Sequence, residues 1–335
     1  MRVLTARELN RATLARQLLL ERKKLAPLKV IEHLIGMQAQ WSPAPYVGIW
    51  TRTTDFKREQ LERLLRRGDV LRPTVMRGTL HFVSKRDYPL LWHALQDRNF
   101  GYGPESLKRG LSLIEEARRR VPMTQNEAFE WIGEPNPKNV LRAIRRFGHL
   151  LHAPETSLWK PTAAQLFHAV DAPEPLGIPD VYRELAHRYL RAFGPATTND
   201  LQKWSMIPAG RFAPALADLP TYKDEDGKTL YDVPRAPLPS ADAPAPVRFL
   251  PKWDNAILGY DKSRRLLPPE LRSTVTGVNG DVAPTVLVDG TVAAIWGTDG
   301  KIEYLRPVTR TQKAEVADEW QRLAAWLNAS RPCAS

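Results

Sequence analysis

Three passages of this chain repeat one order of signals: short helices with a single apolar face, then strands closed by a turn. In the first, Leu14 and Leu18 stand four apart, and Ile31, Leu34 and Ile35 keep the three-and-four spacing of one helical face. A third helix is expected over residues 57–67, with Leu61, Leu64 and Leu65 inward and Arg63, Arg66 and Arg67 outward. Gly68-Asp69 ends it, and residues 70–83 read as strands. In the second passage, Thr124 with Glu127 makes a capping box, and Pro137 opens a helix over residues 138–147 that Gly148 ends. Leu150-Leu151-His152 and Leu158-Trp159-Lys160 then read as a hairpin with its tip at residues 153–157. The third passage places Val181, Tyr182, Leu185 and Leu190 on one helical face as far as Phe193. Thr197 caps a second helix, Pro208 precedes a third, and Asp226-Gly227 is a hairpin turn.

Helices followed by a hairpin, three times over, is the order of tandem winged helix-turn-helix units, so the expected class is α+β, mainly α. The expected divisions are residues 1–100, 101–175 and 176–235, one unit each. A proline-rich connector follows at 236–247, then a C-terminal region of strands and a helix at 248–335. In that last region residues 286–296, folded at Asp289-Gly290, carry the strongest hairpin signal, and a helix is expected around 314–327.

Charge is distributed unevenly over this frame. The chain of 335 residues carries a formal charge of +12, and all of the excess lies in its first 150 residues, which hold 28 Lys+Arg against 15 Asp+Glu. Such a field suits a polyanion, although a generally arginine-rich background gives the same count. The one cysteine, Cys333, rules out an intrachain disulfide and any cysteine-based metal site. The apolar run Leu18-Leu19-Leu20 is too short for a signal peptide, and no window approaches the length of a bilayer span. These features lead us to expect a soluble cytoplasmic monomer on the nucleoid, with double-stranded DNA as partner and no membrane.

The motif search excludes several chemistries. There is no phosphate-binding glycine loop, no dinucleotide fingerprint and no HExxH pattern, so neither a cofactor nor a metal is expected. What remains is Gly36-Met37-Gln38-Ala39-Gln40, where an apolar helix runs into two carboxamides and is stopped by Trp41, Pro43 and Pro45. A helix would splay Gln38 and Gln40 apart, whereas an extended exit puts both on one side. The two prolines favour extended backbone at the positions preceding them. Two readings stand: a pair of amides projecting together from a basic unit, or amides that only satisfy backbone groups at a helix end. Arg77-Gly78-Thr79-Leu80-His81-Phe82, read as a strand, sets Arg77, Thr79 and His81 on one face and Leu80 and Phe82 on the other. That face either holds a phosphate, with His81 neutral, or is an ordinary solvated one. Asp254, in the aromatic frame of Leu250-Pro251-Lys252-Trp253-Asp254-Asn255, either orients a polar side chain or caps a turn.

Together with Tyr189 to Thr197 and Val286 to Val292, these segments resemble the winged-helix DNA glycosylase family of AlkZ and YcaQ over nearly the whole chain. The family signature is Gln, an apolar residue, then Gln or Asp. Gln38-Ala39-Gln40 matches its Gln-ending, AlkZ-like branch. The resemblance implies a C-shaped basic concave surface for duplex DNA. It also implies excision of bulky N7-alkylpurines, including unhooking of interstrand crosslinks in base excision repair, and in antibiotic producers self-resistance to a DNA-alkylating product. Carried over, it makes Gln38 and Gln40 catalytic and Trp41, Trp253 and Asp254 their supports. The expected DNA contacts are Arg77, Thr79, His81, Lys138, Arg142, Arg145, Arg146, Lys203, Arg264 and Arg265. The family's cleft hairpin is assigned to Asp289-Gly290. The alternative expectation is a non-catalytic regulator that reads DNA with Arg142, Arg145 and Arg146.

Overall fold

The computed structural model describes residues 1–162, 165–174, 176, 180–261, 264–277 and 280–329; Cys333 lies outside them. The capping boxes act where the sequence sets them. Thr124 and Glu127 start the helix Gln125–Ile132, and Thr197 and Asp200 start Thr198–Ser205. The helices Lys138–Phe147 and Val181–Phe193 end at Gly148 and Gly194. In the helix Arg58–Arg66, Leu61 and Leu65 are buried and Arg63, Arg66 and the adjoining Arg67 are exposed.

Each of the three passages ends in a small three-stranded sheet. In the first, His81–Ser84 pairs antiparallel with both Met37–Gln38 and Val70–Leu71. In the second, Leu166–Ala169 is the central strand between Met123–Thr124 and Leu150–His152. The expected partner of Leu150–His152, residues 158–160, is therefore not a strand. The third sheet contains the hairpin Thr221–Asp224 and Thr229–Tyr231, but its third member is Val3–Leu4, running parallel from the N-terminus. The first residues of the chain thus belong structurally with the third passage. A four-stranded antiparallel sheet, Arg248–Leu250, Thr285–Val288, Thr291–Trp296 and Ile302–Tyr304, forms the C-terminal region with the closing helix Arg310–Asn328.

The stretch after the two glutamines is a helix, Pro43–Arg52, which the prolines had concealed. Proline needs no backbone donor in the first turn, so Pro43 and Pro45 open this helix rather than extend the chain. The extended backbone at Met37–Gln38 comes instead from pairing with His81–Ser84. It follows the left-handed residues Ile35 and Gly36, which end the helix Pro27–His33. A Cβ on Gly36 would stand 2.8 Å from Val83 Cγ1, so this turn requires glycine on both counts.

Cores are shared between passages. Ile35, Tyr88 and Tyr102 pack in one cluster with Tyr189, Phe193 and Trp204. Val30, Met37 and Tyr46 pack with Phe249, Trp296 and Leu323 of the C-terminal region. Buried bidentate pairs cross the same boundaries. Arg16 grips Asp232 at 2.6 and 2.7 Å, Arg188 grips Asp87 at 2.7 Å twice, and Arg52 grips Asp254 at 2.8 and 2.7 Å. Among the described residues no helix is long and apolar enough to cross a membrane.

Candidate active site

The extended exit from Gly36 brings Gln38 and Gln40 to one cleft of about 1170 Å³. Gln38 is almost wholly buried on its strand opposite His81, and Gln40 is exposed. Gln38 Oε1 accepts from Arg77 Nη2 at 2.9 Å, while Gln40 Oε1 accepts from the Leu80 backbone N–H at 3.3 Å. The main chain between them is anchored as well. Ala39 N–H donates to Leu80 O at 2.7 Å, and Arg72 Nε donates to Ala39 O at 3.0 Å. Arg72 Nη1 also reaches Thr156 O at 2.9 Å, tying the motif to the second passage.

The segment around Lys252 supports this wall from behind. Asp254 caps the short helix Asn255–Leu258 and pairs with the buried Arg52, so both sequence readings of it hold together. Asn255 Nδ2 donates to Gly36 O at 2.7 Å, fixing the turn that leads into the motif. Trp253 reaches the rim with Lys252 over its ring, and Trp41, 41% exposed, stands beside the glutamines.

The facing wall comes from the second passage: Gln125, Phe129, Lys138, Leu141, Arg142, Arg145, His152 and Gln165. Arg145 lies over the Phe167 ring, 4.3 Å from its centroid, and its Nε is buried with no hydrogen-bond partner. Desolvation, with Arg72 and Arg142 nearby, lowers its pKa to about 9. His152 Nδ1 is likewise buried and unpartnered; burial first, then Arg145 and Arg72, holds the ring neutral. Among the described residues, the cleft lining carries Arg72, Lys138, Arg142, Arg145 and Lys252 against a single carboxylate, Asp281, which pairs with Lys252 at 2.9 Å. A wall so composed attracts an anion and offers no free carboxylate as a general base.

The structure redistributes the other expected site residues. Residues 76–78 form a tight turn instead of a strand, with Arg77 at φ +57°. Its guanidinium therefore points inward to Gln38 and to Trp204 O, and Arg77 does not line the cleft. His81 is fully buried, and desolvation lowers its pKa to about 3, so it is neutral but unavailable to a phosphate. Thr79 and Leu80 line the cleft, whereas Leu80 was expected on the opposite face. Lys138 is exposed at the rim and Arg142 is half-buried, donating to Asn139 Oδ1 and Phe100 O. Arg146 is buried, with both terminal nitrogens spent on the carbonyls of Leu95 and Arg98, so it is a structural residue and no DNA contact. Arg265 is buried over Tyr260. Arg264 faces a different, acid-lined cavity with Asp200, Asp224, Glu225, Asp226 and Asp261. Lys203 is exposed on its helix and does not line the cleft.

The Asp289-Gly290 hairpin is no cleft hairpin either. Asp289 pairs with Arg7 and Arg11, and Asn10 Nδ2 donates to Gly290 O at 2.7 Å, which seats the turn on the helix Ala6–Arg16. Lys252, Trp253 and, beside the Thr276–Val282 bridge, Gly280 and Asp281 are what the C-terminal region contributes to the lining. Arg72 carried no signal in the sequence, since only the fold brings it under the motif. His152 could have been singled out as the polar end of an apolar strand.

A protein-family model described as DNA glycosylase AlkZ-like matches residues 31–326. An interstrand DNA cross-link repair glycosylase from Streptomyces sahachiroi is 24% identical over 337 residues, covering 90% of this chain and 90% of that protein. The solved structure of Streptomyces sahachiroi DNA glycosylase AlkZ matches this fold with a TM-score of 0.78, over 97% of both chains at 19% identity.

Proposed function

Because this chain belongs to the AlkZ-like DNA glycosylase family, we propose that it is a monofunctional glycosylase that hydrolyses the N-glycosidic bond of N7-alkylated purines, with Gln38 and Gln40 placing the attacking water. The observation that carries this reading is the pair of carboxamides on one wall of a cationic cleft without a free carboxylate. Alkylation at N7 gives guanine a positive charge, so the base departs neutral without prior protonation. The remaining tasks are to orient a water and to tolerate an oxocarbenium-like sugar, and neutral amides suffice for both. One oriented dipole in such a site is worth about 10²–10³ in rate, roughly 3–4 kcal/mol. That is enough for an activated lesion and too little for an intact nucleotide.

The Streptomyces sahachiroi relative is an interstrand cross-link repair glycosylase, and we extend bulky and crosslinked adducts to this chain on that likeness. An open cleft of this size suits a large adduct better than a closed base pocket does. In the same reading the three passages are winged-helix units, 1–100, 101–175 and 176–235, the third completed by the N-terminal strand Val3–Leu4; they cradle duplex DNA as a monomer and serve self-resistance to a DNA-alkylating product. The regulator alternative loses support from the Lys138–Phe147 helix, because Arg146 is buried and Arg142 is engaged with Asn139 and Phe100.

The test is single-turnover release of N7-methylguanine from a duplex. Gln38→Ala and Gln40→Ala are each expected to slow release about 10²–10³-fold with little change in DNA affinity. Unchanged release in the double variant removes the glutamines from the chemistry.

A further inference from the structure

The two glutamines differ in what holds them, and the difference assigns their chemistry. Arg77 projects from the turn Met76–Gly78, and a Cβ on its neighbour Gly78 would lie 2.8 Å from Phe100, so the turn is tightly seated. Arg77 Nη1 donates to Trp204 O at 2.9 Å. Its Nη2 lies 2.9 Å from Gln38 Oε1 and 3.3 Å from His81 Nε2. His81 Nδ1 in turn lies 3.0 Å from Thr79 O. A guanidinium only donates and a carbonyl only accepts, so each link has one allowed direction. His81 therefore carries its proton on Nδ1 and accepts from Arg77 at Nε2. Gln38 has to turn its oxygen to Arg77, which leaves its NH₂ group as the end free for the cleft.

Gln40 is under no such constraint. Its oxygen meets only the Leu80 N–H, at a long 3.3 Å, and its side chain is exposed. No carboxylate among the described ion pairs neutralises Arg77, so its charge bears directly on the Gln38 amide.

We propose that Arg77 is a positioning residue that makes Gln38 a hydrogen-bond donor to the oxygen of the attacking water and leaves Gln40 as the acceptor of that water's proton. This rests on the glutamine reading above and divides the labour within it. The water then has one lone pair occupied by Gln38 and one O–H directed at Gln40, and its second lone pair is free to bond C1′. As that bond forms, the C1′–N9 pair leaves with the purine and cancels its positive charge. The water proton passes to solvent alongside Gln40.

The experiment is single-turnover release of N7-methylguanine, with lesion-DNA affinity and thermal stability measured in parallel. Gln38→Glu replaces the donor by an acceptor but keeps a partner for Arg77, so it is expected to stay folded while release falls about 10²-fold. Gln40→Glu keeps an acceptor and is expected to fall at least about ten-fold less. Arg77→Met should slow release about as much as Gln38→Ala, leave affinity within about two-fold because Arg77 does not line the cleft, and add almost nothing in a Gln38→Ala background. Equal losses in the two Glu variants, or a full additive loss for Arg77→Met on Gln38→Ala, would overturn the assignment while the glutamines keep their role. Full release by both Ala variants would overturn the glutamine reading and this one with it. If Arg77→Met does not fold, the two Glu variants decide alone.

Discussion

The two walls of the cleft treat their polar groups in opposite ways. On the glutamine wall, Arg72 and Arg77 donate to Ala39, Thr156, Trp204 and Gln38, and His81 is bonded at both ring nitrogens. On the facing wall, Arg145 and His152 keep buried nitrogens without partners, and Lys138 stands in solvent. Leaving a buried donor unpaired costs stability, so a wall built that way is incomplete until something else supplies the acceptors. The first wall is organised before substrate arrives, as a site that orients a water must be. On the proposed function, the phosphates of bound DNA would supply what the second wall lacks.

The sharpest way to break this contrast is to remove what holds the organised wall. Asp254→Ala leaves Arg52 buried without its partner and uncaps the Asn255–Leu258 helix. The expected loss is about 3–5 kcal/mol in denaturant unfolding, which reads as a large fall in midpoint. A loss under about 1 kcal/mol would mean that the segment around Lys252 supports the motif without this pair.

A smaller pair of effects compares neighbouring arginines on one helix. Arg146→Ala strands the Leu95 and Arg98 carbonyls and is expected to destabilise by about 1–3 kcal/mol with little change in the salt dependence of DNA binding. Arg145→Ala removes a desolvated charge that no carboxylate among the described residues pairs, at the cost of its contact with the Phe167 ring. It should leave stability equal or higher and lower the slope of log K against log salt by about 0.9, one phosphate contact. Titration of binding between low and moderate salt measures it. An unchanged slope for Arg145→Ala would detach the second wall from phosphate.

Much of the frame was legible in the sequence because its signals are local. Capping boxes at Thr124 and Thr197, the glycine stops at 148 and 194 and the Asp226-Gly227 turn each act within a few residues. The motif reads as two amides sharing a side, but the prolines are not what extends the chain: strand pairing does that, and the prolines open a helix. What stayed illegible depends on distant partners. Nothing near Arg146, Arg265 or Asp289 says that each is spent inside the protein, because the carbonyls and guanidinia that claim them come from other passages. Basic residues on a basic half look alike until the fold separates paired from unpaired. The left-handed turn at Arg77, which converts an expected surface cation into a partner for Gln38, has no pattern of its own beyond Gly78.

A change of pH probes the organised wall without removing any of its contacts. His81 has its folded pKa lowered to about 3 from an ordinary 6.5, chiefly by burial and then by Arg77. Between those values the unfolded chain binds a proton that the folded protein refuses. Stability from this group is therefore full above about pH 6.5 and is lost progressively as pH falls toward 3. Its share of the slope approaches about 1.4 kcal/mol per pH unit. His81→Asn is expected to remove that share from the pH dependence of unfolding between about pH 6 and pH 4, at some cost in absolute stability. If the slope in that window is the same in wild type and variant, His81 takes up a proton freely in the folded state, the Arg77 link to its Nε2 does not hold, and the glutamine wall is no more self-contained than the one it faces.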